Sequence, residues 1–321
     1  AEMRGPLFPN KGTGELAEYN AADTSLWFFW TLQQYAIFSK STANLWKEYG
    51  KKMKIILEGY REGTDHNIQL HENGLIFAGE AGVAVTWMDA YVDGKPVTPR
   101  TGYTVEVNAL WYNALSFALE LAKNAGDNDF VNQWQAIADK FSQAFINQFW
   151  YEEKGYLADY AHGDYRDTSV RPNQIFATSL PYSPLNEEMR NSILKTVKSE
   201  LLTPRGLRTL SPKNPLYKGV YAGDQTQRDN AYHQGSVYPW LLGHFVEGYL
   251  KIHGKSGLKF VTDLYKGFEP VMIEHGIGTI SEVYDGDPPH YPGGAISQAW
   301  NVAELLRINW LIQKYASNSD K

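Results

Sequence analysis

Apolar residues recur every three to four positions along much of this chain, the spacing of amphipathic helices. The spacing and its stop signals predict helices over Thr24–Ser39, with Asp23 as N-cap, and over 43–61, which ends near Gly63. Further helices are expected over 104–124, stopping at Gly126, then 127–149, a short one at 172–180, and 186–201. The pattern continues over 227–253, tolerating Pro239 by a kink or a late start, then 258–275 and 295–315. Strand signals are few and short: Leu75-Ile76-Phe77, Gly155-Tyr156-Leu157 and Thr279-Ile280-Ser281. The chain is therefore expected to be mainly α.

Loop lengths alternate. Short turns at 40–42, 124–128 and 182–186 join helices into pairs, and long loops join one pair to the next. Most long loops open alike, with Asn73-Gly74-Leu75, Lys154-Gly155-Tyr156, Arg205-Gly206-Leu207 and Ile277-Gly278-Thr279; Gly5-Pro6-Leu7-Phe8 is a degenerate member. Recurrence at roughly 50 to 80 residues marks a repeated supersecondary unit. Helical hairpins with their long loops at one end suggest a toroid whose function lies on one rim.

Several rim loops carry chemistry. Thr86-Trp87-Met88-Asp89-Ala90 puts a carboxyl next to a tryptophan, and Thr98-Pro99-Arg100 follows it. A carboxyl beside an apolar ring can keep its proton to higher pH, as a general acid must, and an indole suits the apolar face of a sugar. Alone, a turn or N-cap role is the better account of Asp89. Glycoside hydrolysis needs a second carboxylate to activate water or attack directly. The loop from Gly278 to His290 offers Glu282 after a strand-like run, with Asp285 as fallback; Asp285 and Asp287 also read as turn residues. The run from Arg228 to Trp240, with Tyr232, His233 and Gln234, is dense in groups that could hold hydroxyls, and helix packing explains it about as well. His233 lacks a second histidine at metal-ligand spacing. Arg171-Pro172-Asn173-Gln174 reads first as capping and core. Asp23 precedes Trp27, which lies one turn below the rim.

Composition changes this picture little. The net charge of −6 includes no basic stripe, so nucleic acid is not an expected partner. No apolar run has membrane-spanning length, and the opening residues lack the apolar core of a signal peptide. Without cysteine there are no disulfides or thiolate metal sites. No phosphate loop, zinc-binding His-Glu motif or nucleophile elbow is present, so cofactor-free and metal-free hydrolysis is expected. The 10 Trp and 21 Tyr, many beside loops, suit either a large core or a sugar cleft.

Together TWMDA, TPR, VEVNALWYNAL, RPNQIFATSLPYSPL, GLRTLSP, YKGVYAGDQ, AYHQGSVYPWLLG and GTISEVYDGDPPH…GGAISQAWNVAELLR resemble, in order, the glucosidase domain of glycogen debranching enzymes. The resemblance implies an all-α (α/α)6 toroid of the six-hairpin glycosidase type. It implies inverting removal of single α-1,6-linked glucose units from glycogen or a branched α-glucan, in the cytoplasm. It places the acid at Asp89 and the base at Glu282. It sets Arg100, Glu106, Asn108, His233 and Gln234 near the glucose, with Trp87 and Trp111 as walls; Tyr232, Asp23, Trp27 and Asp285 complete the expected substrate-binding set. Residues 1–321 are read as one catalytic domain, N-terminally incomplete. About nine helical segments are too few for six pairs, and the family's Arg-Asp pair for the terminal sugar has no match here. Another exo-α-glucosidase or trehalase-like hydrolase of this fold, and a non-catalytic glucan-binding fragment, are the alternatives.

Overall fold

The computed structural model describes residues 2–317; Ala1 and 318–321, the two ends of the expected domain, lie outside the described residues. Among the described residues ten α-helices carry the fold: α1 (Thr24–Ser39), α2 (Leu45–Glu62), α3 (Val105–Ala125), α4 (Asn128–Phe149), α5 (Phe176–Ser179), α6 (Glu187–Glu200), α7 (Gln225–Tyr232), α8 (Leu241–His253), α9 (Leu258–Lys266) and α10 (Ala299–Ser317). Helices α1, α3, α5, α8 and α10 pack neighbour to neighbour, and α2, α4, α6 and α9 lie against them.

The pairing follows from side-chain pattern. Helix α3 is buried nearly all round over most of its length, as an interior helix is, and its few buried polar residues, Glu106, Asn108 and Asn113, are hydrogen-bonded. Helix α4 instead buries a single stripe, Phe130, Trp134, Phe141, Phe145 and Phe149, against it. The turn between them is fixed at both ends. Gly126 closes α3 in the left-handed conformation, and the Asp127 side chain accepts from the Phe130 amide at 3.2 Å. Asp224 and Gln227 form a reciprocal capping box on α7.

Three expected elements differ. The single helix over 227–253 is two, α7 and α8, and the chain between them runs extended at Val237–Tyr238. Gly235 sits at φ +152°, where a Cβ would meet the Lys218 carbonyl oxygen at 2.3 Å, and Pro239 supplies no amide for a continuous helix. The helix over 258–275 stops at Lys266, and a 3-10 turn Pro270–Ile273 follows. The strand expected at 279–281 is displaced to Val283–Tyr284. There it joins a five-stranded antiparallel sheet in the order Leu202–Thr203, Gly206–Arg208, Val237–Tyr238, Val283–Tyr284, Pro292–Gly293. Short strands are also more numerous than expected.

Candidate active site

The sheet explains how distant loops meet. Val237 pairs with Tyr284, so the segment after α7 lies beside the loop that carries Glu282. The Tyr232 hydroxyl donates to Glu282 Oε1, and the Ala295 amide donates to Oε2 at 2.7 Å. Asn301, at the start of α10, holds the backbone on both sides. Its Nδ2 donates to the carbonyls of Ser281 at 2.7 Å and Glu282 at 3.0 Å, while its Oδ1 accepts from the Trp240 amide at 3.0 Å. Glu282 is half-buried in this frame.

An aromatic wall leads from Glu282 to the loop of Asp89. Tyr232 packs on His233 and Tyr238, with ring centroids 4.7 Å and 5.5 Å away. Both of those rings meet Trp87, at 5.4 Å and 5.5 Å, and Trp240 meets Trp87 edge-on at 5.3 Å. Trp27 packs on Trp240 and Phe176 and stays partly exposed, at the inner end of this wall. Trp87 is fixed at two points. Its Nε1 donates to Asn173 Oδ1 at 2.8 Å, and its backbone amide donates to Asp23 Oδ2 at 3.2 Å. Asp89 follows two residues later; its side chain is 27% exposed and pairs with Lys11 at 2.5 Å.

Asp23 occupies the N-cap position of α1, yet its side chain makes no capping bond. It turns instead to the Trp87 amide and is buried. Burial first, then the charge of Glu106, pushes its carboxyl up to about 7. His233 is the complementary case. Burial and the nearby cations Arg171, Arg100 and Lys11 push its imidazole down to about 3, so it is neutral, and its Nδ1 has no partner among the described residues.

Behind the wall lies a buried ionic network. Arg100 donates through Nε to Asp159 Oδ2 at 2.7 Å, through Nη2 to Glu106 Oε2 at 2.6 Å, and through Nη1 to Glu106 Oε1 and Thr86. Asn173 donates to Asp159 Oδ1 at 2.7 Å. Arg171 donates to the His233 carbonyl and to Gln234 Oε1, both at 2.7 Å. Isolated charges could not be buried here; the pairing makes it tolerable.

Several expected sugar contacts are corrected by this geometry. The donors of Arg100 are spent on Asp159, Glu106 and Thr86, and Glu106 is buried on the same guanidinium. Asn108 is fully buried, bonding both backbone groups of Ile76 and the Thr104 carbonyl. Gln234 is held by Arg171 and the Val97 carbonyl. These four position loops and do not face an open cleft. Trp111 is not a wall: it is fully buried, stacked on Tyr60 and edge-on to Trp134. Asp285 is buried as well, accepting from the Tyr221 amide at 2.6 Å, which makes it a loop anchor. The expected His233 is likewise buried, inside the aromatic wall; that wall brings the loops of Asp89 and Glu282 together with Asp23, Trp27, Trp87 and Tyr232. Asp159, Asn173, Trp240, Asn301 and Lys11 were not assigned to the site from sequence. Asn173, Trp240 and Asn301 lie in the motifs that carry the family resemblance, whereas nothing local distinguishes Asp159.

The family model for amylo-alpha-1,6-glucosidase matches residues 1–307. The chain belongs to the amylo-alpha-1,6-glucosidase family. Both carboxylate loops lie within the span that the family model matches. A glycogen debranching enzyme of Saccharomyces cerevisiae is 27% identical over 308 residues, covering 75% of this chain and 20% of that protein. A periplasmic trehalase of Escherichia coli O8 is 28% identical over 131 residues, covering 40% of this chain and 22% of that protein. The chain thus spans about a fifth of the length of these relatives. A solved neutral trehalase from Saccharomyces cerevisiae superposes with a TM-score of 0.50 at 16% identity, over 68% of this chain and 38% of that one, a likeness of fold. Among the described residues no helix is long and apolar enough to cross a membrane, and no cluster of acidic and histidine side chains suits a metal ion.

Proposed function

We propose that this family member hydrolyses α-1,6-linked glucose at branch points of a glycogen-type α-glucan by an inverting acid–base mechanism on an (α/α)6 scaffold. Asp89 is the acid and Glu282 the base. The observation that carries the reading is that the loops of two carboxylates far apart in sequence meet on one aromatic wall: Trp87, two residues before Asp89, packs on His233, His233 packs on Tyr232, and Tyr232 bonds Glu282. In an inverting enzyme the two carboxyls stand roughly 6.5–9.5 Å apart to admit a water. Asp89 gives its proton to the glycosidic oxygen as the C1–O bond breaks. Glu282 takes a proton from the water that forms the new C1–O bond on the opposite face. The Tyr232 hydroxyl and the Ala295 amide aim Glu282, and each leaves it a free lone pair for that water. Trp87, half-buried, lies under the sugar, and the buried ring of neutral His233 supports it edge-on from behind.

The test is glucose release from phosphorylase-limit glycogen after the transferase step, with the product anomer followed by NMR. An inverting enzyme releases β-glucose first. Asp89→Asn should abolish release without changing the circular dichroism spectrum; release at the wild-type rate would remove Asp89 as the acid. The likeness to trehalases supports a second reading, another exo-glycosidase of the same fold. Product analysis with panose-type, maltose-type and trehalose substrates separates the two.

A further inference from the structure

The pair between Lys11 and Asp89 is not needed to build the wall, and its geometry conflicts with the work of an acid. Lys11 Nζ stands 2.5 Å from Asp89 Oδ2. In that ion pair Asp89 is a carboxylate with no proton to give, so the pair gives way to a neutral carboxyl whenever Asp89 acts as the acid.

The lysine is held in place. Residues 10–20 form a small closed strap: Asn10 donates to the Glu18 carbonyl and Glu18 to the Lys11 carbonyl, both at 2.9 Å. The Asn10 side chain accepts from the Asn20 amide at 3.2 Å. Inside the strap Gly12 is left-handed, and a Cβ there would meet the Leu16 carbonyl oxygen at 2.3 Å. The strap runs directly into Asp23, whose carboxyl holds Trp87. The Lys11 charge is also among those that lower the affinity of buried His233 for a proton, after burial, Arg171 and Arg100. Its side chain remains 53% exposed.

An ammonium that leaves Asp89 keeps its donors and its charge. The hydroxyls of the sugar beyond the scissile bond are the acceptors that arrive there. We propose that the strap 10–20 forms the leaving-group side of the cleft, and that Lys11 exchanges Asp89 for a hydroxyl of the leaving sugar. The inference rests on Asp89 as the acid. Lys11 then couples occupancy of the leaving-group site to release of the acid, so that a substrate with a leaving sugar is favoured over one without.

The experiment compares an α-1,6-linked oligosaccharide with α-glucosyl fluoride, whose leaving group carries no sugar and departs without protonation. For Lys11→Met the ratio of kcat/KM, linked substrate over fluoride, should fall roughly tenfold, the scale of one lost charge-assisted hydrogen bond. Lys11→Arg should restore most of it. A ratio within about twofold of wild type, or one that rises in Lys11→Met, overturns the inference; an equal loss on both substrates marks a structural role and overturns it too. Asp89→Asn is the control. It should lose the linked substrate and keep the fluoride. If it keeps both, the acid assignment fails and takes the inference with it; if it behaves as expected while the Lys11→Met ratio stays put, only the inference fails. Binding of panose and of glucose, read by tryptophan fluorescence, gives the same answer without turnover. Lys11→Met should weaken panose more than glucose. Binding of neither by the unaltered chain overturns the site itself.

Discussion

Replacing Asp23 by Asn should change how stability depends on pH, and the size can be worked out. Asp23 is 5% exposed, and its carboxyl is raised to about 7 by burial and by the charge of Glu106. In the unfolded chain the same group titrates near its ordinary value of about 4. The folded protein therefore holds this proton more tightly than the unfolded chain does. Its contribution is fully present below about pH 4, declines as the pH rises toward 7, and levels off above that. The loss at the plateau is about 4 kcal/mol. Asparagine keeps an oxygen to accept the Trp87 amide and has no proton to lose. The difference in unfolding free energy, variant minus wild type, should thus grow by about 4 kcal/mol between about pH 4 and pH 8. Urea unfolding followed by tryptophan fluorescence across that range measures it. His233 acts in the opposite sense: with its imidazole pushed down to about 3, its contribution is complete above about 6.5 and lost as the pH falls. Because both proteins carry His233, that dependence cancels in the difference. A variant whose curve runs parallel to wild type would show that Asp23 ionises freely in the folded state, and the burial argument would be wrong.

Other expectations are simpler. Glu282→Gln should abolish turnover while leaving glucan binding within a few fold, and Tyr232→Phe should lower kcat roughly tenfold or more by freeing the base from its aim; wild-type kcat in Tyr232→Phe would remove that role. Arg100→Met leaves Glu106 and Asp159 buried without their cation and should cost about 3–5 kcal/mol, read as a lower urea midpoint. A loss under about 1 kcal/mol would mean that water reaches the network. Gly235→Ala forces a Cβ against the Lys218 carbonyl from a left-handed backbone and should destabilise by about 1–3 kcal/mol; an unchanged midpoint would refute the close approach.

Which features were legible in the sequence follows a physical line. Helices α2 and α4 stand out because their apolar positions repeat over several turns, the most local signal a chain carries. The break at 233–240 was misread although Gly235 and Pro239 mark it, because helical spacing resumes on both sides. Asp89 and Glu282 could be proposed from their loops and the family resemblance. The partnership of Arg100 with Asp159 and Glu106 could not, because a buried ion pair is made by the fold and leaves no mark around Asp159. Trp111 was misplaced for a different reason. Its role as a wall comes only from the family resemblance, while Trp111 and its neighbours Asn108 and Asn113 are all buried.

The antiparallel pairing of Val237 with Tyr284 bears on how this protein reaches its native state. Successive helices find partners close in sequence, and contacts of that kind form fast. The two carboxylate loops meet only after a long stretch of chain has been closed, a slower event. During refolding, helical ellipticity should therefore return before the ability to bind a sugar. Late appearance of binding, with no matching change in helix content, would be the kinetic trace of a site whose halves are made separately and joined last.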